Sequence, residues 1–210
     1  AMDKDSSIYF VSTGGEIPEQ DIKTYPHFLS LIDKSVHKDR FIMNGWVDGR
    51  DVENYYFEAD VGINIDKDIY EVRLGSKNRI LDWLRAGLLT LSSNVCELTE
   101  IIEKNNLGHT FKPNDYDDLA SKIIYISKNR DRSKEIAMRA KRYARENFSF
   151  DKTTERLCNW AQEPVSSPDS CKEKKIVLDR DEALKNYKEI FIGQKEMIDQ
   201  RDNRIKELES

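Results

Sequence analysis

Glu71-Val72-Arg73-Leu74-Gly75-Ser76-Lys77-Asn78-Arg79-Ile80-Leu81-Asp82-Trp83-Leu84-Arg85-Ala86-Gly87 is the stretch on which the fold of this chain turns. Charged side chains and a glycine turn, Gly75-Ser76, stand ahead of an apolar helical pattern over 77–85. A strand pattern, Asp60-Val61-Gly62-Ile63-Asn64-Ile65, ends just upstream. A helix that begins at a glycine turn beyond a strand end aims backbone N–H groups and its positive dipole end into a crevice, which suits a phosphate. In open parallel sheets, ligands collect outside the carboxyl ends of the strands. Glu71 and Asp82 suit sugar or ribose hydroxyls, and Lys77 and Arg79 suit phosphate oxygens.

Working outward, strand and helix signals alternate up to about residue 163. Ile8-Tyr9-Phe10-Val11 is a short apolar run that stops at Gly14-Gly15, which reads equally as a plain turn or as a place where a phosphate approaches the backbone. An amphipathic stretch carries Phe28, Leu29, Leu31 and Ile32. Phe41-Ile42-Met43 reads as the next strand, ending at Asn44-Gly45, and Asp51 is placed to cap a helix with Val52, Tyr55 and Tyr56. After the strand at 61–65 and the helix at 77–85 comes Leu88-Leu89-Thr90-Leu91, a fourth strand. A helix with Leu98, Ile101 and Ile102 ends near Gly108, and Thr110-Phe111 is a short fifth strand. Two more helical faces follow, Leu119 to Ile126 and Ile136 to Ala144. Such alternation with short connections predicts an α/β fold, a Rossmann-like parallel sheet with helices on both faces.

The character changes at Pro164-Val165-Ser166-Ser167-Pro168-Asp169-Ser170-Cys171, which reads as a linker over 164–171. In 172–210 more than half of the side chains are charged, with the signs balanced. Leu184, Phe191, Ile198 and Ile205 recur every seventh residue, and Tyr187, Gln194, Arg201 and Leu208 fill the second seam. That is a long C-terminal helix of coiled-coil type, expected to seek a partner helix and to support a homo-oligomer. The bland alternative is a solvated helix lying back on its own domain.

Composition narrows the class. The chain has 210 residues, 38% hydrophobic and 35% charged, with a net charge of −5. No domain is basic, which disfavours a nucleic-acid partner. No run of about 18 apolar residues is present to span a membrane, and no signal peptide is recognisable. Cys96, Cys158 and Cys171 are odd in number and widely spaced, and read as reduced thiols, so a cytoplasmic location is expected. Association with a membrane would come through a parent protein.

Each candidate has a plainer reading beside it. Glu71 is also an ordinary solvated acid. Arg79 and Asp82, three apart on one helix, also suit a surface ion pair. Lys77 and Arg79 open a helix with the wrong sign for its dipole, a local cost that marks a ligand site. His27, His37 and His109 read as surface or edge residues, and Asp60, Asp66 and Asp68 as loop charges without Ca²⁺-loop spacing. No metal site is expected.

Together these residues resemble a known family. Asn44-Gly45-Trp46-Val47, Ala59-Asp60-Val61-Gly62-Ile63, Glu71, and Arg79-Ile80-Leu81-Asp82-Trp83-Leu84-Arg85-Ala86-Gly87-Leu88 come in the order seen in the C-terminal, nucleotide-sugar-binding half of GT-B glycosyltransferases. The retaining family 4 type group is the nearest in pattern. Leu107-Gly108, the stretch 115–120 and the stretch 143–150 extend the resemblance over about 8–162. It implies a hexosyltransferase-like enzyme of polysaccharide or glycoconjugate synthesis whose donor is a nucleotide-sugar. Two glutamates with seven residues between them typify the group, one on the donor sugar and one on the ribose. Glu71 matches the first, but Arg79 stands at the second position. Counting back five from Gly87 gives Asp82, so the ribose contact lies between Arg79 and Asp82, with Asp82 favoured. No cofactor is implied, because protein cations and a helix dipole stabilise the leaving diphosphate. The resemblance also implies that the N-terminal GT-B domain lies outside this sequence, that 1–163 is one N-terminally shortened half, and that it binds donor without turnover. A non-catalytic Rossmann-like scaffold joined through its C-terminal helix is the alternative. A flavodoxin-like or epimerase-type domain is a weaker third, since no Gly-x-Gly-x-x-Gly is present.

Overall fold

A computed structural model of the chain describes residues 1–17 and 23–166, and beyond them 182, 184, 185, 187–189, 191–193 and 195. In chain order the elements are β1 (Phe10–Ser12), α1 (Thr24–Asp33), β2 (Phe41–Met43), α2 (Val52–Glu58), β3 (Val61–Asn64), α3 (Tyr70–Leu74), α4 (Asn78–Ala86), β4 (Leu89–Ser93), α5 (Glu97–Lys104), β5 (Gly108–Phe111), α6 (Tyr116–Lys128), α7 (Arg130–Asn147) and α8 (Phe150–Gln162). The chain forms two compact units, 1–154 and 155–210. In the second, Trp160 Nε1–H donates to Val165 O at 3.2 Å. The residues described after 166 are helical. The coiled-coil pattern at 172–210 and the end of the 164–171 linker otherwise lie outside the described residues.

The first unit is α/β with parallel strands, as the alternating pattern requires. Parallel neighbours need a crossover, and helices supply it. β3, β4 and β5 form one sheet in that order, with Val61 opposite Leu89 and Leu91 opposite His109. β1 and β2 pair separately, Val11 opposite Ile42. These two strands have only half-buried and exposed residues, whereas all five residues of β4 are buried. A strand buried on both faces must be covered on both. Leu89 and Leu91 pack with Phe111, Ile126, Ile136 and Ala137 from β5, α6 and α7. A second cluster holds Ile80, Trp83 and Leu84 of α4 with Ile102, Leu107, Ala140 and Ala144.

Two glycines make the α4 packing possible. A Cβ on Gly62 would lie 2.5 Å from Trp83 Cδ2, so β3 admits the indole only where a side chain is missing. Gly87 ends α4 at φ +82. Its N–H returns to Leu84 O and that of Leu88 to Trp83 O, at 3.2 and 2.9 Å, the Schellman closure.

Several local expectations need correction. The segment ahead of the Gly75-Ser76 turn, for which the sequence pattern gives no helix, forms α3, a five-residue helix that begins after extended Ile69 and carries Glu71 in its first turn. Asp51 occupies an N-cap without a side-chain cap bond; Asp48, one turn earlier, accepts from the backbone N–H of Arg50 at 2.9 Å. Asp48 wins because its extended backbone presents the carboxylate to the following N–H groups.

Candidate functional site

Beyond the carboxyl ends of β3 and β4 the structure has a polar hollow of about 330 Å³, lined by Asn64, Asp66, Ser76, Lys77, Asn78 and Arg79. Its floor is a bonded set of side chains from two strands. Asn64 ends β3 and is 3% exposed. Its amide donates to Ser92 Oγ at 3.0 Å and to Asp66 Oδ2 at 2.7 Å. The Asp66 backbone N–H donates to Ser93 Oγ at 2.7 Å, and the Ser92 hydroxyl donates to Ser93 O at 3.2 Å. Buried polar groups must be paired to be tolerated, and here each strand end satisfies the other.

Lys77 Nζ lies 3.0 Å from Asp66 Oδ2, and the two side chains are only 14% and 20% exposed. A pair so withdrawn from water is far more committed than a surface bridge. Lys77 is also the N-cap of α4, and no side chain caps that helix or places an acid in its first turn. Ser76 instead donates its hydroxyl to Asn78 Oδ1 at 2.8 Å. The positive end of α4 therefore opens toward the hollow with its backbone donors uncapped by side chains. Among the described residues of the lining, two cations, Lys77 and Arg79, stand with one carboxylate, Asp66, which leaves a positive excess.

The other expected residues, Glu71, Gly75, Asp82, Gly14 and Gly15, are not among those lining this hollow. Asp82 is half-exposed and pairs with Arg85 at 3.7 Å. The surface pair weighed for Arg79 and Asp82 is thus made by Arg85, also three residues away. Arg79 and Asp82 both act on Tyr56 of α2. Burial chiefly pushes the phenol pKa up; Asp82 adds to the rise and Arg79 opposes it. Glu71 is exposed on α3. Its neighbours Arg73 and Asp68 form a two-pronged ion pair at 2.6 and 2.9 Å. Gly75 closes α3 at an ordinary φ of −72. It is needed for closeness, since a Cβ there would sit 3.0 Å from Glu71 O. Gly14 and Gly15 follow β1. Gly14 has φ +90 and donates its N–H to Gly45 O at 2.6 Å, while Gly15 abuts the Trp46 indole.

Periodicity and motif do not single out Asn64, Asp66 or Asn78, and Asp66 reads from sequence as a loop charge. A signal existed: Asn64 and Asp66 are two apart at a strand end, on one side of extended chain, and β4 ends in Ser92-Ser93 after an apolar run. His109 was read as a surface or edge residue. It is half-buried on β5, and its Nε2 is buried with no partner among the described residues.

A parallel α/β sheet carrying a cation-rich hollow at its carboxyl edge defines a Rossmann-like domain. The chain belongs to the Glycosyl transferases group 1 family, whose family model matches residues 3–129. No curated protein matches the sequence. Among solved structures it is similar to HepE of Anabaena in complex with UDP, with a TM-score of 0.60 and 14% identity over 74% of this chain and 41% of that one. HepE with UDP and glucose gives a TM-score of 0.61 and 16% identity over 73% and 40%. Sucrose-phosphate synthase from Thermosynechococcus elongatus gives 0.61 and 16% over 73% and 37%. The chain spans about two fifths of the length of these proteins. Among the described residues, no helix is long and apolar enough to cross a membrane.

Proposed function

We propose that this chain is the nucleotide-sugar-binding half of a retaining, family 4 type hexosyltransferase of polysaccharide or glycoconjugate synthesis, working in the cytoplasm. The observation that carries the reading is the hollow at the start of α4, where Lys77, Arg79 and uncapped helix N–H groups meet beyond the strand ends. A diphosphate needs such donors, and so does its departure. As the anomeric C–O bond breaks, the bonding pair leaves with the nucleoside diphosphate, and fixed cations and a helix dipole stabilise the charge that grows there. No metal or cofactor is called for.

In this reading Lys77, Arg79 and the Gly75-Ser76 turn hold the diphosphate. Asp82, one helical turn beyond Arg79, takes the ribose hydroxyls, and Glu71 takes the sugar. The Gly14-Gly15 turn leaves the backbone open to the donor's other end. The acceptor is brought by the N-terminal GT-B domain, the second wall of the cleft, so the chain alone binds donor without turnover. The similar structures of HepE in complex with UDP and with UDP-glucose support uridine nucleotides as the first ligands to try. Isothermal titration with UDP and UDP-glucose tests the proposal. Saturable one-site binding is expected, and heats indistinguishable from dilution would reject it.

A further inference from the structure

Among the described residues, Asp66 is the one carboxylate in the lining of a hollow otherwise built to attract an anion. Simple Coulomb reasoning makes it an obstacle, since a negative charge beside Lys77 and Arg79 weakens the pull on a phosphate. Its surroundings say otherwise. The carboxylate is held by the Asn64 amide, which is itself tied to Ser92, and its backbone is held by Ser93. All three anchors are buried, at 3%, 0% and 1% exposure. A side chain so secured does not swing away when a ligand arrives.

We propose that Asp66 is a positioning residue for Lys77, fixing its ammonium group at the wall of the hollow so that it meets the donor's diphosphate without reorganising. An ammonium has three N–H donors, and Asp66 is the only partner shown for Lys77 among the described residues. Two donors therefore remain for phosphate oxygens. A lysine side chain loses rotamer freedom when it is held. Asp66 takes that loss during folding, and binding then meets a cation already in place. The pair also links β3 to the start of α4, so the site's cation is set by the sheet and not by the mobility of its own side chain.

This inference rests on the donor-site reading, and the test separates the two. UDP is titrated calorimetrically into the full chain and into Asp66→Asn, Lys77→Met and the double variant, each checked for folding by circular dichroism, at two salt concentrations. Asp66→Asn is expected to weaken UDP roughly tenfold although it removes a negative charge from the wall. In the Lys77→Met background the same change is expected to have little effect, because the group it positions is gone. Lys77→Met is expected to flatten the salt dependence. Tighter or unchanged binding by Asp66→Asn overturns the positioning role while leaving the donor site intact. An equal loss from Asp66→Asn in both backgrounds overturns it too, since that marks a purely structural residue. If Asp66→Asn does not fold, Lys77→Arg decides. A guanidinium that keeps the pair should bind within a few-fold of the parent, and a loss as large as that of Lys77→Met rejects the inference. Absence of UDP binding by the parent chain rejects the donor reading and this inference with it.

Discussion

A Cβ atom on Gly62 would stand 2.5 Å from Cδ2 of Trp83 and 2.6 Å from its Cε3, so β3 and α4 touch through a bare backbone. Trp83 is 8% exposed and belongs to the cluster with Ile80, Leu84 and Ile102. This close approach sets how near α4 lies to the sheet, and hence where Lys77 meets Asp66. Gly62→Ala is expected to destabilise the domain by about 1–3 kcal/mol, the usual cost of overpacking. Urea unfolding measures it, and an unchanged midpoint would contradict the packing.

The strand-end bonds carry their own test. Ser93→Ala removes the oxygen that accepts from the Asp66 N–H at 2.7 Å. Leaving that donor without its partner is expected to destabilise by about 1–3 kcal/mol. UDP affinity should fall as well if the Asp66 anchor matters to the site. Denaturation and titration of the same variant report the two effects separately.

His109 supplies a pH dependence. Burial, and then the positive charge of Lys122, push its pKa below the ordinary value. Its ring stands edge-on to Tyr125, with centroids 5.6 Å apart. The folded state thus favours neutral imidazole, and the unfolded chain binds a proton more readily. Stability is complete above the unfolded value of about 6.5 and is lost as pH falls from there toward the lower folded value. His109→Phe should flatten this part of the stability profile. Urea midpoints from pH 7.5 down to pH 5, parent against variant, isolate the histidine from the carboxylates.

Glu71→Ala and Asp82→Ala test the hydroxyl contacts proposed for the donor. Each is expected to weaken UDP-glucose by about 1–3 kcal/mol. Glu71, assigned to the sugar, should leave UDP itself unchanged, whereas Asp82, assigned to the ribose, should weaken both. Calorimetry with the two ligands distinguishes the assignments, and two silent variants would remove Glu71 and Asp82 from the site.

The heptad pattern of 172–210 yields a prediction about association. If that segment pairs with a second copy, the full chain should show a mass that rises with concentration in light scattering. A version ending before Pro164 should stay monomeric. Identical masses for the two would retire the coiled-coil proposal.

Much of the first unit was readable from residue order. Strand runs at β2, β3 and β4 and the helix at α4 were located within one or two residues, because periodicity is local and burial of one face enforces it. α3 was not found, since its five residues show too little of a helical period to be told from a loop. Asp66 was passed over for a different reason. Its place two residues after Asn64 marks it only weakly, and whether such a carboxylate is solvated or paired is decided by Lys77, which meets it across the gap to α4.

The amino-acid sequence by itself determined the alternation of strands and helices, the place where α4 begins and the basic character of that beginning. All of these depend on neighbours along the chain. Only the tertiary structure decided that Asn64 reaches Ser92, 28 residues away, and that Lys77 joins Asp66 across the gap between strand and helix. Those pairings depend on the register of β3 against β4 and on the closeness that Gly62 allows, and packing in three dimensions sets both.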